Sequence, residues 1–163
     1  MNSITEQLEL LLMEMQKLRE RYELSKKVGP EYFEPGMMEY LDQSYGEYDE
    51  TTGVMVLRFE ARGTRYEGRT ERIENVCLGD EIRVMRDNQN PYNSNNFVLL
   101  DRRGQNLGNM AATLCNALAP LYDSGNAVFE KAVVSFVEPI SKRGRHAKQA
   151  MLFVELRLRI VGV

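Results

Sequence analysis

The stretch Asn90-Pro91-Tyr92-Asn93-Ser94-Asn95-Asn96-Phe97 holds four asparagines, one proline and one tyrosine, and no charge. Proline and clustered asparagine prescribe a loop of fixed local shape, and a ring inside such a loop is displayed rather than packed. A displayed aromatic among amide side chains suits stacking on a flat polar ligand such as a nucleobase. The plainer reading of the same residues is a hairpin loop whose asparagines bond their own backbone. A second candidate is Gly63-Thr64-Arg65-Tyr66-Glu67-Gly68. Here a guanidinium beside a ring offers one phosphate contact and one stacking surface. A third is the loop Lys142-Arg143-Gly144-Arg145-His146-Ala147-Lys148. Lys142, Arg143, Arg145 and Lys148 would touch backbone phosphates there, or else form a solvated hairpin tip.

Catalytic patterns are missing from the chain. No Gly-rich loop runs into Lys-Ser/Thr, and no zincin helix or paired-carboxylate motif occurs. Gly104 and Gly108 have no lysine after them and read as a turn. The sole histidine, His146, has no partner near it in sequence, whereas an activated nucleophile needs a base within hydrogen-bond reach. Two cysteines and one histidine do not make a zinc site. The expectation is a binding protein with no catalytic residue, metal or cofactor.

Charge divides the chain. Residues 1–50 carry five Lys/Arg and twelve Asp/Glu, leaving −7, while residues 51–163 carry sixteen and twelve, leaving +4. A basic body joined to an acidic arm admits a polyanionic partner for the body. No apolar run approaches the ~20 residues of a membrane span, and the N-terminus lacks the pattern of a signal peptide. Cys77 and Cys115 lie far apart in apolar settings. Two buried thiols in a reducing, cytoplasmic compartment are expected.

Three segments would position these residues. Residues 3–27 read as a helix, with Ser3 and Glu6 at capping-box spacing and bases gathered near the end. Ile4, Leu8, Leu11, Met15, Leu18 and Tyr22 recur at alternating intervals of four and three. That seam serves either a short homodimeric coiled coil or a helix laid on its own domain, and Leu10 and Leu12 widen it toward the second use. Gly29-Pro30 stops the helix. Residues 30–52 form an acidic, aromatic linker with a short helix possible from Pro35 to Leu41.

From Gly53 the period becomes two. Strands are expected at Val54–Glu60, Glu81–Arg86, Phe97–Asp101, Gln105–Met110, Ala127–Glu138 and Gln149–Val161, with a further extended piece at Arg72–Cys77 and a helix at Ala111–Tyr122 that Pro120 ends or kinks. Short strands with one inserted helix predict, for residues 53–163, a small antiparallel β-barrel of OB-like or SH3-like type, preceded by the N-terminal α-helix; closure would protect the sheet edges.

Taken together, Gly63–Gly68, Asn90–Phe97 and Gly104–Gly108, in this order and spacing, resemble the HIRAN domain family. That family runs a Gly-x-x-Tyr loop, then Asn-Pro-Tyr-Asp-x-Asn-Ala, then a Gly-rich turn and a helix, and the likeness covers roughly residues 54–162. The resemblance implies a barrel related to the oligonucleotide/oligosaccharide-binding fold that holds single-stranded DNA at a free 3′ end, in DNA repair or replication-fork processing. It implies that Tyr66 and Tyr92 stack on terminal bases, Arg65 meets a phosphate and Asn90 hydrogen-bonds. The family aspartate that accepts the 3′-hydroxyl is Asn93 here, an amide that does not repel a terminal phosphate. Asn96 replaces a small alanine, and Asn109 and Ala112 stand where a basic cluster follows the glycine. The other class of function left open is a protein-interaction adaptor dimerising through residues 3–27.

Overall fold

A computed structural model describes residues 3–28, 46–144 and 147–163, save the side chains of Ser25, Lys26 and Val28. The expected stop at Gly29-Pro30, the short helix at Pro35–Leu41, and Arg145 and His146 lie outside the described residues. Helix α1 spans Ile4–Val28. It starts where the Ser3 hydroxyl accepts the Glu6 N–H at 3.1 Å, the capping bond its sequence predicts. Its stripe of Leu8, Leu11, Met15, Leu18 and Tyr22 is buried in the chain's own core. The Tyr22 ring meets Phe153 at 6.1 Å between centroids, and its hydroxyl donates to Glu60 at 3.2 Å. Each fully buried side chain of this size contributes roughly 1.5–3 kcal/mol, and all five do so within one chain. The homodimeric seam expected as one use of residues 3–27 is therefore corrected: these residues face inward.

Seven strands follow among the described residues: β1 Gly46–Tyr48, β2 Val54–Glu60, β3 Arg83–Asp87, β4 Asn96–Leu100, β5 Asn106–Asn109, β6 Ala127–Glu138 and β7 Met151–Ile160. β1 falls in the stretch that composition alone marks as linker. All pairings are antiparallel, in a four-stranded sheet β1-β2-β7-β6 and a three-stranded sheet β3-β4-β5. In β2, alternate residues Met55, Leu57 and Phe59 are buried, as a period of two requires. Helix α3, Ala112–Asp123, keeps Pro120 within its last turn and buries Leu114, Leu118 and Leu121.

The expected barrel does not form, since neither sheet closes on itself or on the other. The sheets meet at two single-residue bridges, Arg62 with Asn109 and Glu81 with Val133. The reason lies at 61–82. The extended piece expected at Arg72–Cys77 is instead a short helix, α2, over Arg69–Ile73, followed by a turn. Local apolar spacing does not separate the two forms, and tertiary bonds decide. The Thr70 hydroxyl donates to Thr64 O at 2.7 Å, the Thr64 hydroxyl to Ala150 O at 2.9 Å, and Ile73 is fully buried. The chain that would have extended the ladder across the gap is folded over its end. The expected pair of buried thiols is half right: Cys115 is buried and its pKa is pushed up to about 11 by burial, whereas Cys77 is exposed.

Candidate nucleic-acid interface

The asparagine loop joins β3 to β4. Asn90 Oδ1 accepts the N–H groups of Tyr92 at 3.0 Å and Asn93 at 3.1 Å, and Asn93 Oδ1 accepts that of Asn95 at 3.0 Å. The amides thus bond their own loop, as the plainer reading expects, and by doing so they fix where the ring goes. Two further anchors tie the loop to α3. Asn116 Oδ1 accepts from the side chains of Asn93 at 3.1 Å and Asn95 at 3.2 Å. Arg86 makes a two-pronged pair with Asp123 at 2.9 and 3.0 Å and donates to Ser94 O at 2.6 Å. On this braced loop Tyr92 stands 96% exposed.

Opposite it, the Gly63–Gly68 loop leaves Tyr66 57% exposed, with the Arg65 guanidinium 5.3 Å from its ring centre. That loop is held by Arg69, which is buried on α2 and donates to Gly63 O at 2.9 Å and to the Glu67 carboxylate at 3.1 Å. Between the two tyrosines lies a groove of about 690 Å³, lined by Tyr66, Glu67, Arg69, Asp87, Asn90, Tyr92, Asn106 and Asn109 together with Gly63 and Pro91. Its floor is a polar chain. Asp87 Oδ2 accepts from the amides of Asn90 at 3.2 Å and Asn96 at 3.1 Å, and Asn96 also donates to Asn109 Oδ1 at 3.0 Å. Asp87 Oδ1 makes no hydrogen bond among the described residues.

The structure therefore brings Tyr66, Asn90 and Tyr92 to one groove, with Arg65 at its edge. Asn93 does not line it, being turned to α3. Lys142, Arg143 and Lys148 do not line it either. Arg143 donates to Gln149 O at 2.9 Å within its own loop, and Ser141 beside it bonds the Glu74 carboxylate, which is held below the usual carboxylate range by those bonds. Sequence reasoning missed Glu67, Arg69, Asp87 and Asn106 and treated Asn109 only as a substitution. No periodicity marks them; Glu67, inside the Gly63–Gly68 loop, and Asp87, three residues ahead of the asparagine loop, were within reach. Among the described residues, no group of three His, Cys, Asp or Glu side chains gathers to hold a metal ion, and no helix is long and apolar enough to cross a membrane.

A fold of two small antiparallel sheets with two tyrosine-bearing loops flanking one groove goes with a match to the HIRAN domain over residues 54–150, and the chain belongs to that family. No curated protein matches it. Among solved structures it is similar to the crystal structure of the HIRAN domain of human HLTF, at 24% identity over 64% of this chain and 76% of that one, with a TM-score of 0.46. It is similar also to a Lactobacillus plantarum protein, at 16% identity over 64% of this chain and 98% of that one, with a TM-score of 0.48. The NMR structure of the HLTF HIRAN domain in its DNA-bound conformation matches at 24% identity over 65% and 76%, with a TM-score of 0.43.

Proposed function

We propose that this chain is a non-enzymatic module that binds single-stranded DNA at a 3′ end, in DNA repair or replication-fork processing. The observation that carries this reading is the pair of displayed rings, Tyr66 and Tyr92, on two braced loops either side of one polar groove. Two rings held so receive bases by stacking, which any base satisfies. Arg65, exposed beside Tyr66, meets a phosphate. Asn90 acts mainly through the loop it ties. For the terminal hydroxyl, Asp87 is the better acceptor than Asn93, since its carboxylate lines the groove and has an oxygen to offer. A carboxylate there also opposes a terminal phosphate. Family membership agrees with this reading through the resemblance described above. The adaptor alternative rests on a helical seam that is buried in the chain itself.

The test is fluorescence anisotropy with one short strand ending in a 3′-hydroxyl, the same strand ending in a 3′-phosphate, and a blunt duplex. The hydroxyl-ended strand should bind tightest. Stacking contributes ~1–3 kcal/mol per base, so Tyr92→Ala should weaken binding roughly 5- to 150-fold at ~1.4 kcal/mol per decade. Being so exposed, Tyr92 can be removed without unfolding the protein. A folded Tyr92→Ala protein of unchanged affinity would sink the assignment.

A further inference from the structure

A second surface adjoins the groove. The turn between β4 and β5 carries Arg102 and Arg103, and Arg83 opens β3 next to it. They line two grooves of about 440 and 400 Å³ that share Arg102, Arg103 and Asp101 and so run together. All three arginines are exposed, and none of their guanidinium groups has a partner among the described residues.

The neighbouring carboxylates each have one oxygen engaged. Asp101 Oδ1 accepts the N–H groups of Arg103 and Gln105, both at 2.9 Å. Asp80 Oδ2 accepts that of Cys77 at 2.9 Å, and Glu81 lies 3.7 Å from Lys131. The two grooves thus hold four arginines against three carboxylates, and the guanidinium groups of Arg83, Arg102 and Arg103 are left for a ligand. The turn is also fixed before any ligand arrives. Gly104 N–H donates to Asp101 O at 3.0 Å, Asp101 N–H to Gln105 O at 2.9 Å, and Gly104 takes a φ of 78° that only glycine adopts easily.

Arg72 connects this surface to the first groove. It lines the second, yet its guanidinium donates to the carbonyls of Asn106 and Glu67, which line the first. Unpaired arginines on a rigid turn, set across Arg72 from a groove for bases, fit the backbone phosphates of a strand leaving that groove.

We infer that Arg83, Arg102 and Arg103 form a phosphate track for the nucleic-acid strand whose end sits between Tyr66 and Tyr92; the inference rests on the reading proposed above. The test compares oligothymidylates of about 4 and about 16 nucleotides, bracketing the site sizes of small single-strand binding folds, on the wild type and on Arg102→Glu/Arg103→Glu. Wild type should bind the long strand more tightly. The double variant should bind the long strand about tenfold or more weakly. Its salt dependence should become shallower by about 0.7 for each phosphate it no longer neutralises, with short-strand affinity unchanged. Arg102→Gln/Arg103→Gln, which removes charge without reversing it, should show the same weakening in smaller degree; thermal unfolding of both variants checks that the turn survives. Equal affinity of wild type for both lengths, or of the folded double variants and wild type for the long strand, overturns the track and leaves the groove standing. Failure of wild type to bind either strand overturns both.

Discussion

At the scale of single residues, the floor of the groove shows how one departure from a family pattern explains another. In the resemblance described above, Asn96 replaces a small alanine and Asn109 falls where a basic cluster follows the glycine. In the fold these two are one pair, with the Asn96 amide donating to Asn109 Oδ1 at 3.0 Å and to Asp87 at 3.1 Å. Asn96 is 6% exposed, and its amide makes two bonds that an alanine cannot replace, together worth ~1–3 kcal/mol. Asn96→Ala should therefore destabilise the protein by about that amount. The pair should show a coupling of ~0.5–3 kcal/mol in a double-mutant cycle with Asn109→Ala, read by urea unfolding. Strictly additive losses would mean that the bond contributes nothing. Since Asp87 shares the Asn96 amide, the same variants should also weaken binding of the hydroxyl-ended strand.

At the scale of elements, the groove depends on how closely β5 passes the end of β2. Gly108 has a φ of 149°, and a Cβ built there would lie 2.8 Å from the backbone oxygen of Arg62. That oxygen accepts the Asn109 N–H at 2.9 Å, while Arg62 N–H donates to Asn109 O at 2.8 Å. These two bonds are one of the two bridges between the sheets. Gly108→Ala adds both a strained backbone and a clash with main chain, which cannot move aside as a flexible side chain can. A loss of ~1–3 kcal/mol is expected from the conformation alone, together with weaker strand binding, because Asn106 and Asn109 on β5 line the groove. Unchanged stability and affinity in Gly108→Ala would show that the sheets do not need this approach. The same scale explains the braced loop. Arg86 on β3 and Asn116 on α3 hold it from two sides, so Tyr92 is displayed without being loose, and little ordering entropy opposes binding.

At the scale of the whole molecule, α1 closes the body rather than joining it to a second copy. Leu11 is fully buried, and Arg19 donates to Gly46 O at 2.8 Å, tying the helix beside β1. Sedimentation over a range of concentrations should give a monomer. Leu11→Ala should lower stability by ~2–5 kcal/mol without changing size; a dimer that Leu11→Ala dissociates would restore the seam to its other use. What the sequence determined by itself was local. Period and punctuation placed β2 and β6 to the residue and most other elements to within a residue or two, because alternation, capping and turn residues act over a few neighbours. The tyrosines were legible for the same reason, each lying in a loop whose glycines, proline or asparagines state its shape. Tertiary structure alone decided whether the strands closed, because a barrel depends on the segment 61–82, where Thr64 bonds Ala150 far away in the chain and Ile73 is buried in the common core. It decided the fate of the helical seam, since one apolar stripe fits a partner helix or its own core equally well. It also decided which residues face the groove. Asp87, Arg69 and Asn109 lie up to 40 positions apart in the chain, and only the pairing of β3, β4 and β5, with α2 packed on β5, sets them around one groove.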